Sequence, residues 1–112
     1  MDVELFAGIR VRDYPAALAW YTRLLGEPSF FPHDAEAVWT LGEGRSIYVV
    51  GDERGDGGAV ATVLCGDLDA QLATIAARGL EPDDNETYSN GVRKAIYRDP
   101  EGNEVGFGGA PA

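Results

Sequence analysis

One histidine, His33, and one cysteine, Cys65, stand against nineteen Asp and Glu residues in this 112-residue chain. Zinc and related divalent metals take several imidazole, thiolate or carboxylate donors converging on one point, so a Cys/His zinc site is excluded. His33 follows Phe30-Phe31-Pro32, and a general base titrating near neutrality is most naturally a histidine. No partner that would tune it stands out, and an exposed loop histidine is the simpler reading. Cys65 precedes Gly66-Asp67 at a strand end. A following helix N-terminus would lower a thiol pKa there, while a buried core cysteine is the commoner outcome. Asp83, Asp84 and Glu86 gather beside Tyr88, where paired carboxylates share a proton, meet a cation, or simply solvate a loop. Asn85-Glu86-Thr87 has the form of a glycosylation acceptor, which matters only in a secreted chain. No Ser/His/Asp or Cys/His pairing is evident, and no glycine loop is followed by the Lys and Ser/Thr that cradle phosphate.

The elements that must position these side chains come in two matching sets. Ile9 to Ala19 reads as a strand end entering an Asp13-capped helix with Pro15 in its first turn. Leu18, Tyr21, Leu24 and Leu25 form one apolar face before Gly26. Val63 to Ala73 repeats this order: Asp67 answers Asp13, Leu72 answers Leu18, and the second helix stops near Gly79. Farther on, Ala37 to Val49 lies over Ala95 to Phe107, each a β-hairpin around a turn rich in glycine and acidic residues. Pro28 to Phe31 and Glu81 to Ser89 each supply one more strand. The unit is βαβββ, used twice. The predicted organisation is one domain over 1–112, with a first module at about 4–50, a glycine-rich connector at 51–58, and a second module at about 59–108.

Composition narrows the partners. A net charge of −10 repels phosphate backbones and anionic lipids while attracting cations, so no nucleic-acid or membrane partner is expected. No apolar run approaches the roughly 18 to 20 residues of a membrane span. Met1-Asp2-Val3-Glu4 lacks a basic, apolar leader pattern, and a cytoplasmic location is the expectation.

Two βαβββ units, a capped helix after each leading strand, and Arg98-Asp-Pro-Glu-Gly-Asn103 before the last strand resemble the vicinal oxygen chelate superfamily. That superfamily comprises glyoxalases, bleomycin-resistance proteins and ring-cleaving dioxygenases, and the resemblance runs from about Leu5 to Phe107. It implies an α+β fold of two cupped mixed sheets with helices on their outer faces. It also implies metal-ligand positions at Phe6, Val60, Gly106 and, by the internal repeat, Tyr48. None is an imidazole or carboxylate, so no metal and no cofactor is expected. Their replacement predicts a greasy cleft suited to a flat organic molecule, with space beside Gly106. The candidate ligand-binding set is Phe6, Trp39, Tyr48, Val60, Tyr88, Glu104 and Gly106. The resemblance points to a non-catalytic protein that sequesters an aromatic or cationic small molecule in a dimeric cleft, as a homodimer. The alternative is an enzyme of the same fold, a lyase, isomerase or oxygenase, using acid-base chemistry or a metal held elsewhere.

Overall fold

The computed structural model describes residues 2–110. Leading strand β1 (Leu5–Val11) runs into helix α1 (Tyr14–Leu25), followed by β2 (Phe30–His33), β3 (Glu36–Gly42) and β4 (Arg45–Gly51). The second set repeats that order as β5 (Val60–Leu64), α2 (Leu68–Ala77), β6 (Asp84–Thr87), β7 (Arg93–Arg98) and β8 (Glu104–Gly109). Two four-stranded mixed sheets result, ordered β1-β4-β3-β2 and β5-β8-β7-β6. In each, the leading strand pairs parallel with the last and the other neighbours pair antiparallel. The α+β architecture of two βαβββ modules is therefore as the sequence predicts.

Local chemistry explains the helix boundaries. The Asp13 carboxylate accepts from the Ala16 N–H and the Asp67 carboxylate from the Ala70 N–H, each satisfying one donor that a helix start leaves unpaired. Pro15 sits in the first turn, where its missing N–H costs nothing. Gly79 follows α2 with φ at +96°, a left-handed conformation that lets the chain leave the helix.

Alternation along the strands divides each sheet into two faces. Ile9, Val11, Trp39, Ile47 and Val49 of the first sheet join Tyr97, Val105 and Phe107 of the second in one continuous core beneath the helices. Tyr21 and Leu24 from α1, and Leu68 and Ile75 from α2, complete it.

The Asp99-to-Asn103 turn ties the two modules together. The buried Asp99 carboxylate accepts from the Tyr21 hydroxyl of α1 (2.9 Å), the Asn103 side-chain amide (2.8 Å) and the backbone N–H groups of Glu101 and Asn103. Asn103 accepts in turn from the Ala59 N–H, and the Glu101 carboxylate accepts from the N–H groups of Arg12 and Asp13 at the entry to α1. At the other end of the helices, Arg78 donates to the carbonyls of Arg23 and Leu24, the last turn of α1. A cation there also meets the negative end of the helix dipole. No helix among the described residues is long and apolar enough to cross a membrane.

Candidate functional site

The faces of the two sheets turned away from the helices carry most of the candidate residues. On the first, Phe6, Gly8 and Arg10 alternate along β1, and Tyr48 of β4 lies opposite Gly8. Gly8 is required by contact: a Cβ built there would collide with the hydroxyl end of the Tyr48 side chain, which packs against the β1 backbone. Phe6 is half exposed. On the second face, Val60 of β5 pairs with Glu104 of β8, and Thr62 pairs with Gly106. Val60 is exposed and Glu104 half-buried.

Three expectations for these residues change. Trp39 lies on the core side, 2% exposed, and its indole N–H donates to the Gly26 carbonyl (2.8 Å). It packs against Tyr21 at 6.0 Å between ring centroids, so it offers no stacking face to a ligand. The space beside Gly106 is not open, because a Cβ built there would lie 2.5 Å from Cε of Lys94. The lysine stem from β7 fills the volume that the glycine leaves. Third, the Glu104 carboxylate is engaged, bonded to Arg98 at 3.2 Å, while Arg98 also holds Asp84 at 3.0 Å. Tyr88 is exposed after β6, its N–H donating to the Val92 carbonyl.

Tyr48 borders a cavity of about 440 Å³ together with Gly8, Arg10, Arg54, Asp56 and Asn103. Its wall is more polar than the greasy cleft expected. Asp52 links the two arginines, at 2.8 Å from Arg54 and 3.4 Å from Arg10. Hydrogen bonds from the Arg54 side chain and N–H hold the Asp52 carboxyl well below the usual carboxylate range. Phe6 borders a separate, smaller recess with Phe30, Thr40 and Arg45. Val60 borders a third, a groove of about 590 Å³ with Leu5, Ala7, Leu41 and Leu64.

The structure supplies partners for the one histidine. His33 Nε2 lies 3.0 Å from Glu36 Oε1, and its Nδ1 accepts from the Ala35 N–H at 3.2 Å, so both ring nitrogens are occupied. The Cys65 thiol is half-buried, and desolvation raises its pKa, which opposes thiolate chemistry. The acidic stretch before Tyr88 disperses: Asp83 accepts from the Arg98 N–H, Asp84 pairs with Arg98, and Glu86 is exposed opposite Lys94.

The four positions that the resemblance implied for metal ligands carry phenyl, phenol, isopropyl and a bare hydrogen, at Phe6, Tyr48, Val60 and Gly106. Among the described residues no group of three or more His, Cys, Asp or Glu is gathered to hold a metal ion. This donor set does not fit a divalent cation, which needs several nitrogen and oxygen ligands. Lys94, Arg10 and Thr62 are the functional-face residues that sequence reading missed. For Arg10 and Thr62 the signal was parity, since they alternate in step with Phe6 on β1 and Val60 on β5; no candidate on β7 pointed to Lys94.

Comparison with known proteins agrees with the geometry. A profile of the Glyoxalase/Bleomycin resistance protein/Dioxygenase superfamily matches residues 5–107. A glyoxalase/bleomycin resistance protein from Catenulispora acidiphila is 51% identical, with a TM-score of 0.93 over 98% of this chain and 100% of that one. A bleomycin-binding protein complexed with bleomycin superposes with a TM-score of 0.73 at 16% identity, over 95% of this chain and 97% of that one. A lactoylglutathione lyase from Agrobacterium tumefaciens does so at 0.76 and 17% identity, over 97% and 94%. Among proteins of curated function no sequence matches. Paired βαβββ modules, the Asp-Pro-Glu-Gly-Asn turn and these likenesses together show that the chain belongs to the glyoxalase/bleomycin resistance protein/dioxygenase superfamily.

Proposed function

We propose that this chain is a metal-independent small-molecule-binding protein that sequesters an aromatic or cationic ligand in a cleft completed by a second copy of itself. The observation that carries this reading is the donor set: Phe6, Tyr48, Val60 and Gly106 offer no ligating side chain at the positions the resemblance implies for a metal, and the first three are groups suited to packing against a flat molecule. The phenol of Tyr48, packed against Gly8 at the border of a cavity, supports this reading as an aromatic wall for a ligand. A similar fold binds bleomycin in the bleomycin-binding protein, which makes sequestration a use to which this architecture is suited. The charge of −10 favours the approach of a cationic ligand.

Two features support the homodimer. Strands β1 and β5 each pair on one side only, and an unpaired edge invites another chain. Apolar side chains stand exposed along both, with Leu5 at 66%, Val60 at 68% and Leu64 at 82%. A second copy seated there would remove this surface from water and bring Tyr48 of one subunit toward Gly106 of the other.

Isothermal titration of the chelator-treated protein with aromatic cations, alongside a turnover assay on the same compounds, tests the proposal. Binding without turnover, unchanged by His33→Ala, is the expected result. Turnover abolished by that substitution or by chelation would instead establish an enzyme of the same fold.

A further inference from the structure

We propose that Lys94 and Thr62, which flank the side-chain-free Gly106, form a seat for a carboxylate of the bound ligand. This rests on the small-molecule-binding reading above and adds a polar anchor to it. Lys94 is the only lysine in the chain. It pairs with Gly108 across the β7–β8 ladder, and its stem lies over β8: a Cβ built at Gly106 would be 2.5 Å from Lys94 Cε and 3.5 Å from Nζ. Two glycines in alternate positions of β8 thus leave a track in which the stem rests, with Cε over Gly106 and the ammonium just beyond it. Thr62 faces Gly106 from β5 on the opposite side and is exposed. Neighbouring strands lie about 4.8 Å apart, so an ammonium and a hydroxyl stand to either side of the stem-covered Gly106.

The ammonium is uncommitted. Among the described residues it makes no ion pair within 4.0 Å and no hydrogen bond, although acidic residues outnumber basic ones by nineteen to nine. Of the carboxylates on this face, Asp84 and Glu104 are both held by Arg98. Glu86 stands opposite Lys94 on β6 without bridging to it, and the lysine reaches the other way, toward β5. A carboxylate has two oxygens with acceptor sites to spare, so it can take the ammonium on one and the hydroxyl on the other. The overall negative charge of the protein opposes an anion at long range, but screening limits that field to about 8 Å at physiological ionic strength, and the contact charge decides the bound pose.

The test compares three probes of one shape, 2-naphthoate, 2-naphthamide and 2-naphthylmethylamine, on the purified protein and on Lys94→Met, Lys94→Arg and Thr62→Val. The seat predicts that naphthoate binds tightest and loses about tenfold in affinity in Lys94→Met, less in Thr62→Val, and little in Lys94→Arg, while naphthamide is unaffected. Reductive 13C-methylation keeps the charge of this single lysine and gives it a resolvable resonance, which shifts with naphthoate and not with naphthamide. Equal affinities for naphthoate and naphthamide, or a naphthoate affinity unchanged in Lys94→Met, overturn the seat while leaving aromatic binding intact. Failure of all three probes to bind overturns the seat and the aromatic-ligand reading together.

Discussion

At the scale of single residues, glycines on the open sheet faces set what a ligand meets. Gly8 accommodates the Tyr48 ring and Gly106 accommodates the Lys94 stem, so one module presents a phenol and the other an ammonium. Tyr48→Ala is expected to weaken an aromatic ligand severalfold, in line with the roughly 1 kcal/mol of an aromatic pair, with little change in the urea midpoint; titration calorimetry and equilibrium unfolding measure the two. Tyr21→Phe acts in the opposite way. It removes one of the donors to the buried Asp99 carboxylate, and should cost about 1.5–3 kcal/mol in urea unfolding with binding unchanged. Burial and the facing Asp99 charge also push the Tyr21 hydroxyl well above its ordinary pKa, so it stays a donor across the usable pH range. Phe6, Val60 and Gly106 were picked out by the family resemblance, and strand parity then put Glu104 on the same face as Gly106. The direction of Trp39 was not legible, because Ala37, Val38 and Trp39 are buried in succession, and a run covered on both faces gives no alternation from which to read direction. Lys94 escaped notice because a lysine on a strand ordinarily points to solvent, and only the glycines of the neighbouring strand show where its stem rests.

At the scale of elements, the repeated Asp caps made the two modules readable, since each begins a helix at the same point of its unit. Asp13→Ala and Asp67→Ala should each lower stability by about 1 kcal/mol, measured by urea denaturation. The Asp-Pro-Glu-Gly-Asn turn was legible as a hairpin turn, but its role in joining the modules was not, because the Tyr21 and Arg12 contacts span most of the chain. Ion pairs between β7 and α2 and within the connector after β4 are expected to make stability depend on pH in the acid range. The Arg93 guanidinium holds the Asp69 carboxyl below its ordinary value, and Arg54 does the same for Asp52. A depressed folded-state pKa contributes stability that is complete above the ordinary carboxylate range and is lost as pH falls through it. Urea midpoints should therefore decline as pH drops below about 4, and Arg93→Gln should make that decline shallower. An unchanged acid slope in Arg93→Gln would show that the Asp69 pair contributes nothing to stability, as exposed pairs sometimes do.

At the scale of the whole molecule, the chain leaves four edge strands, of which β1 and β5 carry exposed Leu5, Val60 and Leu64. If a second copy completes the cleft, Leu64→Glu at the β5 edge should give a monomer by analytical ultracentrifugation and lose ligand affinity as well. A dimer that survives Leu64→Glu would place the interface elsewhere. On the proposed function the protein binds its ligand without a metal, because the positions implied for metal ligands, Phe6, Tyr48, Val60 and Gly106, carry no donor of the kind a divalent cation takes. The most direct measurement is the thermal stability of the chelator-treated protein against divalent metals and against a panel of aromatic compounds of both charges. Ligand binding to the folded state raises stability by about 2.7 kcal/mol at a hundredfold excess over the dissociation constant. Stabilisation by an aromatic compound and by no metal is the predicted result; a clear shift with a divalent metal alone would contradict it.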